Sequence, residues 1–116
     1  MGSRFTQAYG TSQKLGLHGR QLEADAFLHA ARSLNSPSSA ARVKGLRFTH
    51  MLWTTLQADL SSASNKLPKG LKVDLLNLSL YVDKEISRTL NNPMNIKPAG
   101  LIEINRNLAA GLMRLN

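Results

Sequence analysis

Leu71, Leu75, Leu78, Val82 and Ile86 advance by four, three, four and four residues, a period that fits one face of an α-helix and no strand. Three other stretches carry the same signal. Leu22, Ala26, Ala30 and Leu34 recur every four residues, and Phe27 widens their face. Phe48, Leu52, Leu56 and Leu60 form a second stripe flanked by Leu46 and Trp53, and Leu101, Ile104, Leu108, Leu112 and Leu115 form the last. Breakers separate them: Asn35-Ser36-Pro37-Ser38-Ser39, then Ser61 to Asn65 ahead of Leu67-Pro68, then Leu90-Asn91-Asn92-Pro93 with a loop to Pro98. A residue before proline leaves the helical region. Sustained two-residue alternation is absent, as is any internal repeat. The pattern predicts an all-α, single-domain bundle of four main helices, over about 20–34, 37–63, 67–90 and from 98 onward.

Local chemistry sharpens these expectations. Ser36 is placed to cap the second helix with Pro37 at its first position. The broad apolar arc of that helix predicts two neighbours, the central place in a bundle. Ala26 and Ala30 are small enough for a close helix approach. Gly111, inside the last stripe, costs about 1 kcal/mol relative to Ala and points to close packing or a fraying end. Leu76 and Leu80 widen the core face of the third helix. Residues 1–19 read as a loop plus one or two helical turns at Phe5 to Tyr9, which leaves open a short N-terminal fifth helix.

A chain of 116 residues suits one hydrophobic core. Hydrophobic residues are 42% of it, too many for disorder throughout. No apolar run approaches the roughly 18–20 residues that span a bilayer, and Met1 to Gly10 has no apolar core of a signal peptide. The absence of cysteine excludes disulfides and thiolate chemistry and fits a cytoplasmic location. The formal charge of +8 favours anionic partners without choosing among them.

Catalytic and metal-binding patterns are not found. His18, His29 and His50 form no metal-ligand spacing. Glu23 with Asp25, and Asp83 with Glu85, are two apart and point to different sides of a helix. Glycine-rich phosphate loops and nucleophile motifs are missing too. The expectation is a non-enzymatic protein with no cofactor and no metal. Two basic clusters, Arg42, Lys44 and Arg47, and Lys66, Lys69 and Lys72, offer a candidate RNA contact. Against it, aromatics are 5% of the chain, and no aromatic platform for bases is visible.

Several stretches in order resemble the FlaF family of flagellar biosynthesis regulators: Ala8-Tyr9, Arg20-Gln21-Leu22-Glu23-Ala24, Leu52-Trp53, Ala58-Asp59-Leu60, Asn65-Lys66-Leu67-Pro68-Lys69-Gly70-Leu71, Leu101-Ile102-Glu103-Ile104-Asn105-Arg106-Asn107-Leu108 and Gly111-Leu112. The resemblance covers most of residues 8–112. It implies a cytoplasmic regulator of flagellum biogenesis, required for flagellin synthesis or secretion. Such a protein would bind flagellin as a chaperone and oppose an FlbT-type repressor of flagellin translation. Binding flagellin messenger RNA, or acting only as a scaffold for the FlbT-like regulator, are the alternatives. Within the first reading, Trp53, Leu56, Asn65, Leu67, Pro68, Asn105 and Arg106 are candidate partner-binding or organising residues. Each has a plainer role beside it: Trp53, Leu56 and Leu67 as core, Asn65 as a helix cap, Asn105 and Arg106 as a polar contact between helices.

Overall fold

A computed structural model of the protein describes residues 17–92 and 97–114. All regular structure among them is helical, in the four elements α1 (Leu17–Leu34), α2 (Ser39–Leu60), α3 (Lys69–Leu90) and α4 (Ala99–Arg114). The short helix expected at residues 5–9, and Leu115 of the last stripe, lie outside the described residues.

The first helix starts at Leu17, three residues before its apolar period becomes regular. The turn into α2 differs from the expectation. Ser38, with extended backbone, is the cap, and its hydroxyl accepts from the Ala41 N–H at 3.2 Å. Ser36 instead receives the Ser38 N–H on its own hydroxyl at 3.1 Å, so Pro37 precedes the helix. α2 ends at Leu60 and α3 begins at Lys69, which leaves 61–68 as a linker longer than expected. Pro68, extended at φ −56° and ψ 144°, stands just outside α3 and provides no side-chain cap.

The helices follow one another around the bundle in the order α4, α1, α2, α3. α1 packs on α4 and α2, α2 on α1 and α3, while α3 and α4 barely meet. The expected two neighbours of α2 are there, and α1 has two as well. Ala24, Ala26, Ala30 and Ala31 are all buried on α1, so its backbone can lie close to its partners. α1 and α2 approach closely at Gly45 on α2, where a Cβ would stand 2.9 Å from the Leu34 nitrogen and 2.9 Å from the Ser33 Cβ. Gly111 has open space around it, so close packing is not its role.

The core gathers Phe27, Leu34, Leu46, Leu52, Trp53, Leu56, Leu60, Val82, Ile86, Leu101, Ile102 and Leu112. Leu22, expected inside, is exposed. The larger departure is α3. Its buried residues, Ser79, Val82 and Ile86, all lie beyond its first turns. Leu75, Leu76 and Leu78 are only partly covered, Leu71 is at the surface, and Leu80 is 66% exposed. Gln57, one turn from the end of α2, donates to the Asp83 carboxylate at 3.0 Å, so about four turns of α3 precede that contact.

Candidate functional site: a buried polar node and an uncovered helix face

Two of the predicted residues meet inside the bundle. The Trp53 indole Nε1–H donates to Asn105 Oδ1 at 3.0 Å, and the Asn105 amide donates to Thr49 Oγ1 at 3.2 Å. Thr49, Trp53 and Asn105 are all fully buried. Phe27 of α1 meets the indole edge-on, with ring centroids 5.8 Å apart and planes at 74°. One indole therefore joins three helices, by an aromatic contact on one side and a hydrogen bond on the other. Buried polar groups need partners, and here Asn105 answers both Trp53 and Thr49. Thr49 carried no sequence signal as a member of this node.

The other predicted partner residues divide between interior and surface. Leu56 is in the core. Leu67 is half-buried against it. Asn65 anchors the linker at three points rather than capping α3. Its N–H donates to the Ser62 carbonyl, its side-chain oxygen accepts from the Leu67 N–H at 3.0 Å, and its carbonyl accepts from Lys72 Nζ at 2.7 Å. Pro68 and Arg106 are exposed.

The basic clusters also lose members to internal roles. Arg42 is buried, and its Nη1 donates to the carbonyls of Ser36 and Pro37, both at 2.9 Å. It clamps the α1–α2 turn and is withdrawn from the basic surface. Lys72 is half-buried on the linker. Lys44, Arg47, Lys66 and Lys69 remain exposed. The two pairs sit at opposite ends of α2, and from Lys44 to the end of that helix is already about 24 Å.

Between α3 and α4 a cleft of about 480 Å³ is lined by Tyr81, Glu85, Arg88, Lys97 and Gly100, among others. The Glu85 carboxylate accepts from Arg88 Nη2 at 2.6 Å and Nε at 3.2 Å, and this hydrogen bond holds its pKa below the usual carboxylate range. Among the described residues no three of His, Asp and Glu gather to hold a metal ion, and no helix is long and apolar enough to cross a membrane. Asp59, at the end of α2, has its pKa raised by burial. Large apolar side chains are exposed on every helix, Leu22 on α1, Met51 on α2 and Met113 on α4, but most are on α3, where Leu71, Val73, Leu80 and Tyr81 are uncovered.

These features define a small all-α bundle, tied together by a buried Trp–Asn–Thr node, with one helix only half enclosed. Residues 5–112 match the family of flagellar protein FlaF. The chain belongs to that family, which gives it a role in flagellum biogenesis and its regulation. No curated protein and no solved structure matches the chain.

Proposed function

We propose that the protein binds unassembled flagellin in the cytoplasm as a chaperone and so regulates its synthesis and secretion, opposing an FlbT-type repressor. The observation that carries this reading is the uncovered apolar surface of α3, where Val73 is 47% and Leu80 66% exposed. Exposed apolar side chains concentrated on one element mark an interaction surface, and a helical client can bury its own apolar face there. Membership of the FlaF family supports a flagellar client for it.

RNA binding is the weaker alternative. With Arg42 and Lys72 engaged internally, the four cations of the two clusters that stay exposed form two separated pairs rather than one phosphate track. Scaffolding through an FlbT-like regulator would use the same apolar surface with a different partner. Purified protein mixed with monomeric flagellin, on a size-exclusion column with light scattering, separates these readings. A defined complex that survives high salt is the expected result. RNA binding would instead collapse as salt rises. Absence of a flagellin complex at both low and high salt overturns the chaperone reading.

A further inference from the structure

The third helix carries a second stripe. Lys69, Val73, Leu76, Leu80 and Lys84 advance by four, three, four and four residues, the same steps as Leu71 to Ile86 but two residues out of phase. Two residues turn a helix by about 200°, so this stripe runs along the side away from the core-facing one. Its outer members are open: Val73 and Leu80 at the surface, Lys69 and Lys84 exposed at the two ends, with Leu76 partly covered beside them. The carboxylate nearest this face is Asp83, at its edge about 20° round the helix from Leu76, and it is half-buried rather than exposed. Asp83 receives Gln57 of α2, Glu85 holds Arg88, and Asp74 is about 100° round the helix from Val73. The result is an apolar strip closed at each end by an exposed lysine, the two roughly 22 Å apart along the axis.

We propose that this outer face of α3 is the seat of an amphipathic helix with acidic residues at both ends of its apolar stripe. The inference rests on the reading that the protein binds a helical client, and it names the surface and the client's chemistry. The lysines choose the occupant. A second copy of this chain, packed antiparallel through the same face, would set Lys69 against Lys84 at both ends. A parallel pair would set each lysine against itself. Like charges brought together across an interface oppose association, whereas carboxylates at the ends of a client helix would satisfy both lysines and fix its register. The Val73, Leu76 and Leu80 side chains supply the buried contact.

The test uses two labelled synthetic peptides of about 18 residues. They share one leucine stripe; one carries glutamates at its ends and the other lysines. Fluorescence anisotropy with the full-length protein at low salt should favour the glutamate-ended peptide by about tenfold or more. Leu80→Glu should weaken that peptide by about tenfold or more, and Lys69→Glu with Lys84→Glu should reverse the preference. All three sites are exposed, so far-UV circular dichroism should be unchanged. Equal affinity for the two peptides, no binding of either, or indifference to Leu80→Glu overturns the proposal. So does a dimer in light scattering that Leu80→Glu dissociates, which assigns the face to a second copy. Flagellin run in parallel keeps the two readings apart. A flagellin complex untouched by Leu80→Glu removes this surface and leaves the chaperone reading. Peptides that behave as expected while flagellin is ignored support the surface and remove flagellin as its occupant.

Discussion

Asn105 occupies a position on the inner face of α4 where the apolar period would otherwise put a leucine. Its amide is matched on both sides, so its removal leaves the Trp53 N–H and the Thr49 hydroxyl buried without it. An unsatisfied buried polar group costs about 1–3 kcal/mol, so Asn105→Ala should lower stability in urea by at least that amount. Trp53→Phe added to it should cost less than the two separate losses summed, because the pair fails together; strict additivity would show the hydrogen bond to be idle. Glycines give a second contrast. Gly45→Ala forces a methyl group onto the Ser33–Leu34 backbone and should destabilise by about 1–3 kcal/mol. Gly111→Ala meets nothing and should stabilise by about 0.5–1 kcal/mol through helix propensity. Thermal unfolding of the two variants should move in opposite directions. Sequence singled out Gly111 and passed over Gly45, because what crosses a glycine is set by another helix.

At the scale of elements, the ends of α2 are held in different ways. At its start, Ser38 caps one N–H and Arg42 reaches back to the two carbonyls before it. Arg42→Ala should therefore cost about 1.5–3 kcal/mol in stability, the range for hydrogen bonds to a charged group, and should leave any nucleic-acid affinity where it was. Its end is less favourable. Asp59 is half-buried one residue from the C-terminus of the helix, where the helix dipole disfavours negative charge. Burial raises its pKa above the ordinary 3.8, so the folded protein holds this proton more tightly than the unfolded chain. The ionised carboxylate thus detracts from stability, and the loss develops as pH rises from the ordinary value through the folded one. Asp59→Asn should be more stable than wild type at pH 7, with the advantage closing as pH falls through that window. A constant difference across pH would show that burial of the charge is not the cause. The starts of α2, α3 and α4 were legible to within about two residues from proline and serine, and that of α1 to within three from its apolar period. The length of linker 61–68 was not, since Asn65 binding Leu67 and Lys72 holds it outside either helix.

For the whole molecule, the arrangement of helices explains why one of them is left half open. α1 presents alanines to its neighbours and sits close between α2 and α4, whereas α3 meets the rest mainly from Ser79 onward. The outer face of α3, with Val73 and Leu80, carries the surface on which the chaperone reading depends, and the flagellin complex on a sizing column remains its direct measure. Of the residues suggested by family resemblance, Trp53 and Asn105 turned out to be joined within the core, and Arg106 and Pro68 to lie outside it. The face that Val73 and Leu80 share was not picked out beforehand: Leu80 was read with Leu76 as widening the core face, although it lies on nearly the opposite side of the helix from Leu71 and Val82.

Periodicity, proline and serine determined, without any coordinates, that the fold of the described residues is all-α, where its four helices break, and which side of each carries leucine. The ordered motifs tied it to the flagellar family. These are local properties, written in steps of three and four residues and in the backbone limits around proline. Only the tertiary structure decided which apolar side chains are covered, that Asn105 serves Trp53 and Thr49 together, and that Arg42 belongs to a turn rather than to a basic patch. Each of those outcomes depends on residues far apart in the chain arriving at one place, and burial is a property of that meeting, not of the helix that supplies the side chain.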